Sequence, residues 1–283
     1  NGFHGGYADY WIVKIDGTGT IQWQKCLGGL GADYARCIKL TTDGGYIVAG
    51  TSTSNDGDVT GHHGTTSTYD YWIAKLDGTG TIQWQKSYGG TNDEDAFAIQ
   101  QTTDGGYIAG GFAISNDGDV TGVLGRDAWI VKITSTGALT WQKRTGATAG
   151  IAYDIRQTAD GNYVYAGYSN TLIGVISEYR IEKLDNTGNS LWVKKGGSSQ
   201  GNEYAYSVQQ TSDGGYIMAG DAVTNDGDVT GLHGNYDFWV VKTDAAGAIQ
   251  WQKTLGGTSN EYAYSVQQTT DGGYIVAGLT SSN

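Results

Sequence analysis

The chain has no proline among its 283 residues and carries no helix signal. No window places apolar residues at the i, i+3, i+4 and i+7 positions that mark an amphipathic helix. No apolar run is long enough to cross a bilayer as a helix, so we expect no membrane insertion. These absences leave short strands and turns as the elements of the fold.

Cationic residues are scarce as well, because 17 Lys and Arg stand against 29 Asp and Glu and the formal net charge is −12. Affinity for nucleic acid comes mostly from neutralising phosphates, which requires clustered Lys and Arg side chains. The composition therefore excludes nucleic acid as the expected partner.

Glycine is abundant, with 47 residues, and it punctuates a repeat of about 57 residues that occurs five times. The first copy reads DYWIVKID, GTG, TIQWQK, a glycine-rich loop and ARCIKLTTDGGYIVAG. The repeat units span about 9–50, 70–111, 127–167, 178–220 and 237–278. Two aromatic positions recur in every copy: Trp23, Trp84, Trp141, Trp192 and Trp251, and Tyr46, Tyr107, Tyr163, Tyr216 and Tyr274.

The two cysteines, Cys26 and Cys37, fall in a single copy of this repeat. They are therefore not a disulfide framework for the whole fold. One disulfide in an oxidising compartment and two unpaired thiols both remain open, because the distance between their strands decides the matter.

Each repeat holds four short runs of β-branched and aromatic residues between glycine turns, which predicts four strands. In the first run Trp11 and Val13 alternate with Tyr10 and Ile12, so both faces are apolar. Such a sheet must be covered on both faces, as it is when blades stack around an axis. The sequence predicts an all-β fold, a single five-bladed β-propeller of four-stranded antiparallel blades over residues 1–283.

The repeat also resembles known families. The TTDGG turn resembles the Asp-box turn of other propellers, and KID-GTG-TIQW resembles quinoprotein-type propeller repeats. The quinone-binding residues and the adjacent cysteine pair of those enzymes have no counterpart here, so that resemblance implies the fold and not the activity. The whole unit is similar to DYWIVKLD…IQWQK…QQTTDGGYIVAG arrays in large secreted and cell-surface proteins of bacteria and archaea. This similarity covers nearly all of the chain and implies a secreted or cell-surface location.

Two strand orders are compatible with the repeat. In the quinoprotein-like order, which we favour, DYW and IQW are the outer two strands of a blade, and the ring closes between the N-terminal and C-terminal strand pairs. In the other order DYW is innermost, and five complete blades meet without strand exchange. Because the chain starts at Asn1 with no Met and no signal peptide, we expect it to be part of a larger chain.

The heptapeptide NDGDVTG occurs three times, in the long connections between YIVAG and the next DYW. Its carboxylates, its Asn and the nearby carbonyl oxygens are ligands that Ca²⁺ prefers, although the spacing is not that of an EF-hand. The alternative is a turn that caps itself with its Asx side chains. The candidate calcium ligands are Asn55, Asp56, Asp58, Asn116, Asp117, Asp119, Asn225, Asp226 and Asp228.

Three histidines, His4, His63 and His233, occupy equivalent places in these connections, where a fourth copy has Leu124. We interpret them as ordinary loop histidines, because a zinc site would need them to converge within a few ångströms. Four charged residues depart from the repeat and are interpreted as an ion-pair cluster between adjacent blades, with a reactive centre as the alternative. These are Asp154, Arg156, Arg180 and Glu182.

The repeated indole of IQW predicts a packing contact. We expect Trp23 and its four equivalents to be mostly buried between blades, each near the hairpin turn of a neighbour. We also expect function to lie on the face of the long connections, since long loops on a rigid scaffold usually carry binding residues. The connection 168–177 lacks NDGDVTG and reads TLIGVI, which favours a protein contact there.

No catalytic motif is present, with no GxSxG, HExxH or phosphate loop. We therefore expect a non-enzymatic extracellular binding or adhesion module, with glycans or other cell-surface components as partners and no cofactor beyond the candidate Ca²⁺. Near-equivalent loops suit multivalent carbohydrate binding, because several weak sites gain effective concentration. The alternatives are a building block of a surface layer or filament, and a glycan-processing hydrolase with paired carboxylates.

Overall fold

The computed structural model describes residues 2–122, 125–146, 149–170, 176–198 and 200–282, which contain twenty strands. The chain divides into two compact units, an N-terminal unit Asn1–Gly146 and a C-terminal unit Ala147–Asn283. Within the described part of the chain, no helix is long and apolar enough to cross a membrane.

The N-terminal unit contains ten strands in three antiparallel sheets: β1–β2, β3–β4–β5–β6 and β7–β8–β9–β10. Cys26 on β2 and Cys37 on β3 are both free thiols. The strands are β1 (Tyr10–Ile15), β2 (Ile21–Leu27), β3 (Asp33–Leu40), β4 (Tyr46–Ser52), β5 (Asp70–Leu76), β6 (Ile82–Tyr88), β7 (Glu94–Gln101), β8 (Tyr107–Ala113), β9 (Asp127–Ile133) and β10 (Leu139–Arg144).

The C-terminal unit also contains ten strands, in the antiparallel sheets β11–β12–β13–β14, β15–β16–β17–β18 and β19–β20. The strands are β11 (Gly150–Gln157), β12 (Tyr163–Asn170), β13 (Ser177–Leu184), β14 (Ser190–Gly196), β15 (Tyr204–Gln210), β16 (Tyr216–Ala222), β17 (Asp237–Thr243), β18 (Ile249–Leu255), β19 (Glu261–Gln268) and β20 (Tyr274–Thr280).

Each four-stranded sheet takes strands from two consecutive repeats. In the sheet β3–β6, the first two strands belong to the first repeat and the DYW and IQW strands to the second. The first strands of stacked sheets contact one another, β3 with β7 in one unit and β11, β15 and β19 in the other. The all-β class and the four-stranded antiparallel sheets are confirmed, and each of these sheets has the DYW strand beside an IQW strand at one edge, which agrees with the favoured order. The count of five blades, the closed ring and the single domain stay predictions.

The tryptophans of three DYW strands lie at the centre of a sheet interface. Trp72, Trp129 and Trp239 are buried, and each indole Nε1 donates a hydrogen bond to a glutamine of the neighbouring IQW strand. In the N-terminal unit the hydroxyl of Tyr10 donates to the Trp72 carbonyl at 2.9 Å, and Tyr71 does the same to Trp129 at 3.0 Å. Truncation of such a buried indole costs about 3–5 kcal/mol.

Three IQW tryptophans meet the hairpin turn of the next repeat, as predicted, namely Trp23, Trp84 and Trp192. Trp23 donates from Nε1 to the Gly78 carbonyl at 3.2 Å, and a Cβ on Gly80, whose φ is 78°, would lie 2.9 Å from the Trp23 ring. Trp84 makes the equivalent bond to Ser135 at 2.9 Å. The expected burial was wrong, because the indoles lie over the turns at the edge and stay half-buried, and Trp251 in the last repeat is exposed.

The TTDGG turns are fixed by an ion pair that recurs in both units. Lys75 on β5 is buried and bonds Asp43 in the turn before β4 at 2.8 Å, and Lys242 bonds Asp213 at 2.9 Å in the same way. The bond to the lysine, followed by turn hydrogen bonds, holds the pKa of Asp43 and of Asp213 well below the usual value. The turn is therefore a structural element.

The terminal sheets expose apolar side chains that their equivalents elsewhere bury. Trp11 on β1 is 66% exposed, whereas its equivalent Trp72 on β5 is 0% exposed. Ile275 on β20 is 62% exposed, whereas Ile47 on β4 is 0% exposed. The two-stranded sheets β1–β2 and β19–β20 thus carry unburied apolar surface.

Candidate functional site

The NDGDVTG loops are compact turns that bond to themselves. The side-chain oxygen of Asn55 accepts the Gly61 backbone N–H at 3.2 Å, and Asn225 accepts the Gly231 N–H at 2.8 Å. The valine of each loop is buried, namely Val59, Val120 and Val229. Each loop is therefore anchored to its sheet rather than extended into solvent.

The aspartates of these loops bond to a preceding glycine-rich loop. Asp56 Oδ1 accepts the Leu30 N–H at 2.7 Å, and Asp117 Oδ1 accepts the Thr91 N–H at 2.8 Å. The backbone N–H of Asp58 donates to the Gly28 carbonyl at 2.8 Å, and that of Asp119 and that of Asp228 make the matching bonds to Gly89 and Gly197. Asn116 and Asp226 hold the corresponding positions in the second and third loops.

Several of the side-chain oxygens that could bind Ca²⁺ already accept hydrogen bonds from backbone N–H groups. Within the described residues, no group of three or more His, Cys, Asp or Glu side chains is placed to hold a metal ion. Calcium binding by the nine candidate residues stays a prediction that needs a direct measurement.

The three loop histidines each bond to the aspartate of the following DYW strand. Nδ1 lies 2.8 Å from Asp9 in His4, 2.7 Å from Asp70 in His63 and 3.0 Å from Asp237 in His233. The histidines therefore fasten the long connections to the strands that follow. Leu124, their counterpart in the remaining copy, lies outside the described residues, as does most of the TLIGVI segment.

The four charged departures from the repeat form ion pairs within strands. Arg180 Nη2 lies 2.6 Å from Glu182 Oε2 on β13, and both contact the buried Tyr165 hydroxyl on β12. Arg156 lies 3.1 Å from Asp154 on β11. The expected ion pairs are present, but each joins neighbours on one strand rather than adjacent sheets, because residues two apart on a strand share a face.

A pocket of about 400 Å³ opens in the N-terminal unit, at the strand ends from which the long β4–β5 connection leaves. We name it the Arg36 pocket. Its size lies in the range of small-ligand sites, about 300–1,000 Å³. It is lined by Tyr34, Arg36, Thr51, Tyr69, Asp93, Glu94, Asp95, Phe97, Phe112 and Arg126.

Aromatic rings form the apolar part of this pocket. The rings of Tyr34 and Tyr69 lie 6.3 Å apart, and those of Phe97 and Phe112 lie 6.2 Å apart. The Arg126 guanidinium sits 4.2 Å from the Phe112 ring centre, a cation–π contact. The pocket therefore offers flat apolar faces next to a cationic donor.

The charges of the pocket are only partly neutralised. Arg36 Nη2 lies 2.8 Å from Asp95 Oδ2, and its Nε donates to the other oxygen at 3.4 Å. Burial raises the pKa of Asp95, whereas Arg36 and then Arg126 lower it. Burial also raises the pKa of Glu94, which accepts the backbone N–H groups of Gly90 and Ser115. Asp95 and Arg36 thus form a fixed pair on the pocket wall.

No motif in the sequence predicts this pocket. The signal available was variation at fixed repeat positions, since Arg36 is replaced by Phe97, Tyr153, Tyr206 and Tyr264 in the other copies. These positions sit within regular strands, where neither a catalytic motif nor a metal-binding loop is expected.

Comparisons with protein-family models and with curated proteins find no match. Solved structures do show likeness. One is a protein of unknown function from Bacteroides caccae, at 13% identity and TM-score 0.43, with 88% of this chain and 94% of that chain covered. Another is the WD40 domain of Pan2 from Neurospora crassa, at 13% identity and TM-score 0.48, with 86% of this chain and 60% of that chain covered. Sqt1 from Chaetomium thermophilum matches at 10% identity and TM-score 0.34, with 88% and 80% covered.

Proposed function

We propose that this chain is a non-enzymatic binding module, secreted or displayed at the cell surface, that binds carbohydrate through the Arg36 pocket. The observation that carries the proposal is the pocket itself, with four aromatic rings beside two arginines and three carboxyl groups. The location rests on the similarity of the repeat to secreted and cell-surface arrays.

Carbohydrate suits this combination because a sugar ring has both apolar C–H faces and outward hydroxyl groups. The rings of Tyr34 and Tyr69 supply flat faces at a contact distance from each other. The Arg36–Asp95 pair supplies a donor and an acceptor held in one orientation, which two adjacent hydroxyls can engage. Such preorganised groups reduce the entropy cost of binding.

A glycan array followed by calorimetry tests the proposal. Tyr69→Ala and Phe112→Ala should each weaken binding by about tenfold or more, since each removes a half-buried aromatic ring of the pocket. Tyr7→Ala is the matched control, because Tyr7 is exposed and does not line the pocket. Binding that is lost equally in all three variants, or no binding of any glycan, would contradict the proposal.

We also propose that the two terminal sheets complete a fifth blade and close a ring. The support is internal: β20 repeats the sequence of β4, β1 repeats that of β5, and β4 pairs with β5 along its length. Closing the ring would stack this blade between its neighbours and cover Trp11 and Ile275, the exposed apolar residues of these strands.

Hydrogen exchange on the monomer tests the closure. The amides of β1 and β20 should exchange as slowly as those of β4 and β5, because ladder hydrogen bonds protect them. Fast exchange in the monomer would contradict an intramolecular ring. Protection that appears only in an oligomer would instead favour a structural building block assembled by these edges.

A further inference from the structure

A buried carboxylate without a cation lies in the C-terminal unit. Asp221, near the end of β16, is completely buried, and neither of its oxygens makes a well-formed hydrogen bond within the described residues. A buried charged group is normally paired or hydrogen-bonded, because its desolvation is costly. Asp221 therefore needs a partner or a proton.

A group of tyrosines lies near this carboxylate. We name Tyr204, Tyr206, Tyr236, Tyr262 and Tyr264 the tyrosine cluster. Tyr204 is the cross-strand partner of Asp221, and its ring stacks on Tyr206 at 6.1 Å. The remaining ring contacts run from Tyr206 to Tyr264 at 5.4 Å, from Tyr264 to Tyr262 at 6.4 Å and from Tyr262 to Tyr236 at 5.5 Å.

The charge of Asp221 affects the pKa values of three tyrosines in this cluster. Burial, and after it the charge of Asp221, raises the pKa of Tyr206, Tyr236 and Tyr262. Burial likewise raises the pKa of Asp221 to about 7, with the Tyr206 hydroxyl opposing the shift and Glu203 adding to it. Asp237 on the adjacent strand β17 is already bonded to His233.

We propose that Asp221 and the tyrosine cluster form a binding site for an alkylammonium group. The faces of tyrosine rings attract a cation, and the buried carboxylate near them supplies the opposite charge. The rings of Tyr204, Tyr206, Tyr236 and Tyr262 are half-buried and Tyr264 is exposed, so the cluster reaches solvent while Asp221 does not.

An alkylammonium ion suits this site better than a hydrated metal ion. The cluster offers ring faces and one carboxylate, whereas Ca²⁺ takes six to eight oxygen ligands. An alkylated ammonium carries its charge on an apolar surface that loses little hydration when it enters an aromatic enclosure. The site uses no residue of the Arg36 pocket, and it does not depend on the proposed carbohydrate binding.

Calorimetric titration of the whole chain with tetramethylammonium and with choline at pH 8 tests the inference, with K⁺ at equal ionic strength as the competitor. We expect saturable binding of both probes, little competition by K⁺, and affinity that falls as the pH is lowered through 7 and Asp221 takes up a proton. Asp221→Asn and Tyr204→Leu should each weaken binding by at least about tenfold.

Two further variants separate this role from a structural one. Tyr206→Phe should keep binding, because the ring face remains and only the hydroxyl is lost. Asp185→Asn is the matched charge control, since Asp185 lies in an exposed turn that an Asn can also cap. Absence of saturable binding, equal competition by K⁺, or wild-type affinity in folded Asp221→Asn would overturn the proposal.

Discussion

The Arg36 pocket and the tyrosine cluster occupy equivalent repeat positions in the two units. They differ in whether a buried aspartate has a cationic partner. Asp95 in the N-terminal unit is held by Arg36 from the preceding repeat. Asp221 in the C-terminal unit stands at the position of Phe112 and has tyrosine rings near it, with no cationic partner within the described residues. The same strand framework thus presents a self-neutralised site in one unit and an unneutralised one in the other.

The largest expected effect concerns Asp221. Burial raises the pKa of Asp221 from 3.8 to about 7. Between about pH 4 and pH 7 the folded chain therefore binds one proton more than the unfolded chain. Stability should fall as pH rises from about 4 to 7, by up to about 4 kcal/mol. Asp221→Asn should remove this fall and be the more stable protein at pH 8. Urea unfolding at a series of pH values measures the free energy of unfolding of both proteins. If that free energy changes with pH in the same way in both, Asp221 has an ordinary pKa.

Removing the internal cation should make the first unit resemble the second. Arg36→Leu leaves Asp95 without its ion pair and should cost about 2 kcal/mol at pH 7, less than for a fully buried pair because Arg36 is partly exposed. Adding Asp95→Asn should recover most of the loss. A double-mutant cycle by urea unfolding measures the coupling, and simple additivity would mean that the pair contributes nothing.

The turn ion pairs should behave alike in both units, because they belong to the repeated framework. Asp43→Asn and Asp213→Asn should each cost at most about 1 kcal/mol at pH 7, since solvent screens the exposed carboxylates. Their folded pKa values are lowered, so this contribution is present above pH 4 and is lost as pH falls further. Unequal losses in thermal melts would show that the two frameworks differ.

The smallest expected effect concerns calcium. Because Asp56 and Asp117 already accept backbone N–H groups, melting curves with chelator and with added Ca²⁺ should coincide. A rise in melting temperature with Ca²⁺ that Asp58→Asn diminishes would show instead that the loops bind the ion.

Much of the framework follows from local sequence. Glycine turns and alternating apolar residues located all four strands of each repeat, because these signals act within a few residues. Ion pairing of Arg180, Glu182, Arg156 and Asp154 was also foreseen, but between adjacent blades. In the structure each pair joins residues two apart on one strand, which face the same side.

The pocket and the cluster could not be located in the same way. Arg36 meets Asp95 only because β3 packs against β7, and a single strand does not reveal which strand lies beside it. The sequence wrongly predicted a mostly buried Trp23, because Trp72 lies inside a sheet interface and Trp23 at its edge. Which of the two tryptophans is buried depends on how the sheets stack, and stacking brings together residues that are far apart in the sequence.

Because every four-stranded sheet spans two repeats, the boundary between repeats lies inside a hydrogen-bonded sheet rather than between sheets. Duplicating or deleting one segment of about 57 residues would therefore restore the same β4-to-β5 type of pairing at the new junction. Each repeat therefore contributes two strands to one sheet and two strands to the next. Genes that encode such a chain can gain or lose whole units by recombination at any point in the period while each new sheet remains complete.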